Sequence, residues 1–307
     1  MPPFPKTIAI VGSGALGSYY GAKLARQGAD VRFLMRADLE AVRQAGLRVR
    51  ESGEEWVLQP AQAFGSTAEI GPVDLVVIGL KTTANAELER LIPPLLHEQT
   101  LLLTLQNGLG NEEFLAERWG AERVLGGLCF VCLNRVAPGV IEHYGHGTLS
   151  LGEFQRAPME RTQTIGGMFS AAGVETHVVE NLVTERWRKL VWNIPFNGLS
   201  IATGGRTCDI LLEDQGLQAQ VRGLMEETIA AAGALGHPIP ASFIDYQIER
   251  TFPMGPYKPS SMIDWQQRRA VEVESIWGEP WRQGRAAGVQ LPRLEMLYHV
   301  LRQVTIA

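Results

Sequence analysis

The feature that most constrains this chain is Gly12-Ser13-Gly14-Ala15-Leu16-Gly17. It follows the apolar run Thr7–Val11 and opens the stretch Leu16–Gln27, which ends at Gly28. The run reads as a buried strand and the stretch as a helix. Three glycines at that spacing, between a strand and a helix, form a dinucleotide fingerprint. Gly12 permits the tight turn and Gly14 lets the backbone approach a pyrophosphate. Gly17 lets the helix pack close on the strand. The phosphates would rest on amides of the turn and helix start, with Ser13, Ala15 and Leu16 in the same loop.

The alternation of strand and helix then repeats. Val31–Met35, Leu75–Leu80 and Leu101–Gln106 read as strands, and Asp38–Ala45 and Ala84–Leu91 as helices. Leu47–Val49 and Trp56–Leu58 read as a strand pair. Apolar strands alternating with helices call for a mostly parallel sheet covered on both faces, an α/β unit. Val124–Phe154 differs: breaks at Pro138-Gly139 and His146-Gly147 predict antiparallel additions, and Val174–Val179 a last strand.

The second strand ends Phe33-Leu34-Met35-Arg36, with arginine where an NAD site places an acid. A guanidinium suits a 2′-phosphate, so the pattern favours NADP. Two further strand ends carry Lys81-Thr82-Thr83 and Gln106-Asn107-Gly108. Ligands lie beyond the carboxyl ends of such strands. Lys81 is therefore a candidate for cofactor phosphate or ribose, and Asn107 for the nicotinamide or a substrate.

After Asn181 the pattern becomes helical: Thr184–Ala202, a stretch through Leu217–Leu235, Ala241–Thr251, Val271–Ala287 and Arg293–Val304. The organisation expected is an α/β domain over residues 1–181 and an all-helical domain over residues 182–307. Pro253–Pro259 is too rich in proline and glycine for regular structure. In the first of these helices Lys189, Asn193 and Asn197 are spaced i, i+4, i+8 and share one face among Trp, Val and Phe. A polar row in apolar surroundings must be paired or must face a ligand. A solvated helix face is the other reading.

Composition narrows the functional classes. The formal net charge is -5, without a basic run, which argues against nucleic-acid and anionic-membrane partners. The apolar runs fall short of the ~20 residues that span a bilayer. The N-terminal residues lack the apolar stretch of a secretory signal. Three cysteines make no disulfide framework, so a cytoplasmic location is expected. Cys129 and Cys132 fall in a predicted strand, and His143 and His146 flank a turn with few carboxylates, so no metal site is expected.

These landmarks together resemble the ketopantoate reductase family. They are the glycine fingerprint, Arg36, Lys81-Thr82, Gln106-Asn107-Gly108, Trp187-x-Lys189-Leu190-x-x-Asn193-x-x-x-Asn197, and Ser260 with Glu272 twelve positions on. The resemblance implies an NADP-binding Rossmann domain followed by a helical domain, with the active site between them. It implies NADPH-dependent reduction of ketopantoate, a small 2-oxo acid, to pantoate for pantothenate and coenzyme A biosynthesis. By the same resemblance Lys189 is the general acid, and Asn193, Asn197 and Ser260 contact substrate. Glu272 is a further substrate contact and keeps Lys189 charged. Ser261 stays open beside Ser260, because this chain reads Ser260-Ser261-Met262 where the family often has Ser-Met. Another small 2-oxo acid as substrate, or an NADPH-binding sensor without turnover, are the alternatives. A homodimer is compatible with either.

Overall fold

A computed structural model describes residues 5–305. The chain divides into two compact units. One holds the residues up to Gln106 together with Asn111–Leu182; the other holds Asn107–Gly110 together with Val183 onward.

The first unit is built on a ten-stranded sheet. Strand β1 (Thr7–Val11) lies at its heart, parallel to β2 (Asp30–Leu34) on one side and to a later strand on the other. Helix α1 (Ala15–Arg26) connects β1 to β2, and α2 (Leu39–Ala45) follows β2. A hairpin, β3 (Leu47–Glu51) and β4 (Glu54–Leu58), leads to β5 (Gln62–Phe64) and α3 (Thr67–Ile70). Then come β6 (Leu75–Ile78), α4 (Asn85–Leu91), β7 (Leu101–Thr104) and α5 (Asn111–Trp119). The unit closes with β8 (Val124–Ala137), β9 (Val140–Glu153), α6 (Glu160–Ala171) and β10 (Thr176–Val178). The strand order is β4-β3-β9-β8-β7-β6-β1-β2-β5, with β10 beside β9. From β1 the chain steps to β2, then returns to β6 and β7 on the opposite side. The β1/β6 junction is thus the switch point of the sheet.

The uninterrupted apolar strands result from burial on both faces. Ile8, Ala9, Ile10 and Val11 are all fully buried. Ile8 and Ile10 join Tyr20 of α1 and Phe169 of α6 on one face. Ala9 and Val11 join Leu88 of α4 and Leu115 of α5 on the other. Each large aliphatic side chain so placed contributes roughly 1.5–3 kcal/mol. Asp74, just before β6, takes hydrogen bonds from the Lys6 and Thr7 amides at 2.8 and 3.0 Å, fixing the start of β1 beside it.

The antiparallel addition expected near the end of this unit is a single long hairpin turning at Pro138-Gly139. His146-Gly147 does not separate strands. It lies within β9, where a register shift falls opposite Phe130/Val131 and His146 takes φ 60°. An extra residue there is absorbed as a bulge, so one strand continues where the sequence suggests two. Strand β5 and helices α3, α5 and α6 were not anticipated.

The regular elements of the second unit's described residues are all helical: α7 (Leu182–Ala202), α8 (Cys208–Glu213), α9 (Gln215–Ala234), α10 (Ser242–Thr251), α11 (Ser260–Gln266), α12 (Glu279–Ala286) and α13 (Pro292–Val304). Trp187, Val191 and Ile194 of α7 pack in one core with Leu211, Leu224, Ile248, Met262, Trp277 and Leu297. The Glu227 carboxylate of α9 accepts from the amides of Arg293 and Leu294 at 3.1 and 2.9 Å, an anion on the N-terminus of α13. The helix expected over Val271–Ala287 is present from Val273 to Ala286, with its first part, Glu274–Gly278, wound as a π turn that leads into α12.

Candidate active site

The glycine loop joins β1 to α1 at the switch point. Gly12 has φ +102°, and a Cβ there would stand 2.3 Å from the Leu80 nitrogen, so the loop lies against the chain leaving β6. A Cβ on Gly17 would lie 2.3 Å from the Gly12 oxygen and 2.9 Å from Ile10 Cγ2. Gly14 is exposed and caps α1, with nothing within 4 Å of where its Cβ would be. Two of the glycines are therefore demanded by packing. The third leaves open space at a helix N-terminus, where backbone N–H groups are unspent. Ser13, Ala15 and Leu16 are half-buried in the same loop.

Arg36 lies two residues past β2 and is exposed. Its guanidinium has no hydrogen-bond or ion-pair partner among the described residues. The nearest carboxylate in sequence, Asp38, is 5% exposed. It accepts from Arg135 Nη1 at 2.9 Å and from the Gly139 amide at 3.2 Å. Asp38 is thus spent on the β8–β9 turn. Lys81 is half-buried at the start of a 3₁₀ turn, Thr82–Ala84, beyond β6. Beyond β6 and β7 lies a chain of amides of which the sequence singled out only Gln106. Gln106 Nε2 donates to Asn85 Oδ1 at 2.7 Å, Asn85 Nδ2 to Asn111 Oδ1 at 3.2 Å, and Thr104 Oγ1 to Gln106 Oε1 at 3.0 Å. Polar residues just past two strand ends were the available signal.

In the second unit α7 carries Lys189, Asn193 and Asn197 on one face, and burial deepens along it. Lys189 is half-buried, Asn193 9% exposed and Asn197 2%. Lys189 Nζ donates to Asn107 Oδ1 at 2.8 Å. The structure thus joins two candidates 82 positions apart. The Asn193 side-chain amide has no hydrogen-bond partner among the described residues. Asn197 uses its amide internally: Nδ2 donates to the Asn193 carbonyl at 3.1 Å and Oδ1 accepts from the Ser261 amide at 3.0 Å. Ser260 opens α11 with an exposed side chain, while Ser261 is buried. Glu272 is 9% exposed, two residues before the π turn.

A half-buried ammonium held by a carbonyl oxygen, next to an unpaired buried amide, can give a proton to an oxygen and hydrogen-bond its neighbour. With a glycine loop at the switch point of a parallel sheet, these features define the class: a dinucleotide-type α/β unit and a helical unit, as in oxidoreductases. Comparison with known proteins narrows it. The family described as "Ketopantoate reductase PanE/ApbA" matches residues 8–156, and "Ketopantoate reductase PanE/ApbA C terminal" matches residues 181–305. The chain belongs to the ketopantoate reductase family. It is 42% identical over 299 residues to the 2-dehydropantoate 2-reductase of Nostoc sp., covering 96% of this chain and 93% of the relative. The solved 2-dehydropantoate 2-reductase of Geobacter metallireducens superposes with a TM-score of 0.94 at 46% identity, covering 97% of this chain and all of the other. That of Methylococcus capsulatus gives 0.90 at 33% identity, covering 97% and 96%. No helix among the described residues is long and apolar enough to cross a membrane.

Proposed function

We propose that this protein reduces 2-dehydropantoate (ketopantoate) to pantoate with NADPH. The observation that carries the reading is the α7 row: Lys189 held by Asn107, beside an Asn193 amide that nothing in the described chain engages. The name shared by the Nostoc relative and the Geobacter structure supports the substrate. The open space at Gly14 fits a nucleotide pyrophosphate, and Gly12, Gly14, Gly17, Ser13, Ala15 and Leu16 would hold it on the start of α1. Arg36 and Lys81 supply positive charge, Arg36 toward a 2′-phosphate. When bound, the reduced nicotinamide supplies the hydride.

Reduction of a 2-oxo acid builds negative charge on the carbonyl oxygen. The Lys189 ammonium stabilises that charge and transfers its proton to the oxygen, leaving a neutral amine that regains a proton from solvent. Asn107 Oδ1 accepts from the ammonium and so points it. Asn193 donates to the hydroxyl or carboxylate of the substrate. Asn197 ties the row to the start of α11, where Ser260 presents a hydroxyl. The buried Glu272 carboxylate balances the lysine charge.

The test monitors NADPH oxidation with ketopantoate and a panel of small 2-oxo acids, ranked by kcat/KM. Ketopantoate is expected first, and Lys189→Ala is expected to lose ~10²-fold or more in kcat. A different acid ranking first would overturn the substrate. Tight NADPH binding without oxidation of any acid would mark a sensor.

A further inference from the structure

Lys189 and Asn107 lie far apart in sequence, yet their contact has hydrogen-bond geometry at 2.8 Å. Something must fix the loop that carries Asn107 against the helix that carries Lys189. The π-helical turn Glu274–Gly278 touches both. A π turn shifts the bonding pattern from i+4 to i+5 and so frees backbone groups for other partners. The Ser275 carbonyl accepts from the Leu109 amide at 2.9 Å. Gly108, at φ +84°, comes so close that a Cβ would stand 2.3 Å from that same Ser275 oxygen and 2.4 Å from its carbon. On its other flank, Trp277 Nε1 donates to the Ile194 carbonyl of α7 at 2.9 Å, fully buried. Gly198, one turn along α7, makes room for the indole: a Cβ there would lie 2.8 Å from Trp277 Nε1. Ser275 and Trp277 are buried.

Resting on the general-acid reading of Lys189, we infer that the π turn is a positioning element for this lysine. Ser275 grips the Asn107 loop, Trp277 grips α7, and the two residues between which the lysine contact forms are held in register from one rigid turn. Gly108 and Trp277 are positioning residues: neither meets the substrate, and both act through the Asn107–Lys189 contact. Gly108 is required because the loop backbone must lie on the Ser275 carbonyl, with no space for a side chain.

The experiment is a double-mutant cycle on kcat with NADPH and the acid ranked first in the substrate panel. Gly108→Ala forces the loop off Ser275 and is expected to lower kcat by ~10²-fold, the scale of a misplacement of about 1 Å, with the KM for NADPH within about twofold. Asn107→Ala removes the contact itself. In that background Gly108→Ala is expected to cost less than about threefold more, because both act on one contact. Trp277→Phe keeps an aromatic ring and deletes the donor, so it keeps the inference testable should Gly108→Ala fold poorly. It is expected to show the same non-additivity with Asn107→Ala. Losses that multiply in the double variants, or a KM for NADPH that rises in step with the fall in kcat, would overturn the inference. Lys189→Ala separates the two levels: if it kept near-normal kcat, the general-acid reading would fall first, whatever the cycle gave.

Discussion

Replacing Arg36 by alanine tests the choice of cofactor. The guanidinium lies just past β2, is exposed, and has no partner among the described residues. A hydrogen bond to a charged group contributes about 1.5–3 kcal/mol. An exposed site is screened, which puts the contribution toward the lower end, about 1.5–2 kcal/mol. At about 1.4 kcal/mol per factor of ten, that is a loss of roughly 10- to 30-fold in kcat/KM with NADPH. NADH lacks the 2′-phosphate, so its kcat/KM stays within about twofold. The selectivity ratio therefore falls by nearly the whole NADPH loss. Salt should act in the same direction, narrowing the wild-type preference while changing the variant little. Asp38→Asn is the control. Its carboxylate is spent on Arg135 and Gly139, so the substitution should lower the thermal midpoint and leave the ratio unchanged. Equal losses with both cofactors in Arg36→Ala would remove Arg36 from the 2′-phosphate. A ratio altered by Asp38→Asn would make that acid the ribose partner.

The glycine loop separates packing from binding. Gly17→Ala sets a Cβ on a backbone oxygen at 2.3 Å, so it should destabilise the fold by about 1–3 kcal/mol and lower the thermal midpoint. Gly14→Ala meets nothing within 4 Å, so the midpoint should hold while NADPH affinity, read by fluorescence titration, falls; unchanged affinity would move the pyrophosphate elsewhere. Asp74 gives a pH signature. Burial alone would raise its carboxyl, but hydrogen bonds from Thr7, Lys6 and His97 outweigh that and hold it below the ordinary value of 3.8. A depressed folded value means the unfolded chain binds the extra proton first as pH falls. The stabilisation is complete well above pH 3.8 and is lost as pH drops through the folded value. Urea titrations should show wild type more stable than Asp74→Asn at neutral pH, with the gap closing below about pH 4. A gap independent of pH would show that the carboxylate charge plays no part.

Much of the fold could be read locally. Thr7–Val11 is β1 to the residue, because four consecutive fully buried residues allow no polar interruption. The glycine fingerprint was legible because each glycine answers a local demand of turn, approach or packing. The hairpin turn at Pro138-Gly139 was legible for the same reason. What escaped depends on partners distant in sequence. Gln62–Phe64 is too short and too weakly apolar to announce a strand, and exists because β2 offers it an edge. His146-Gly147 looked like a chain reversal, but β8 continues opposite it and converts it to a bulge. The apolar spacing over Val271–Ala287 is compatible with α and π winding alike, so the π turn was invisible until its Ser275 carbonyl met Leu109. Asn107 was marked by its place after a strand, but its allegiance to the helical unit was not.

The α7 row shows why residue type and spacing identify a site more readily than they assign its parts. Three polar residues at i, i+4, i+8 look equivalent in sequence, and the resemblance gives both asparagines to substrate. In the fold they are graded. An asparagine side chain offers two N–H donors and one acceptor oxygen with two lone pairs. Asn197, 2% exposed, has committed one N–H to the Asn193 carbonyl and its oxygen to the Ser261 amide. Leaving those groups unpaired at that depth would cost about 1–3 kcal/mol each, so they are not lightly released to a ligand. The Asn193 side chain has made no such commitment among the described residues. Capacity to engage a ligand thus rises from the buried end of the row toward its middle, one turn from the lysine. The deep asparagine secures the start of α11, and the substrate contact proposed for this row falls to Asn193.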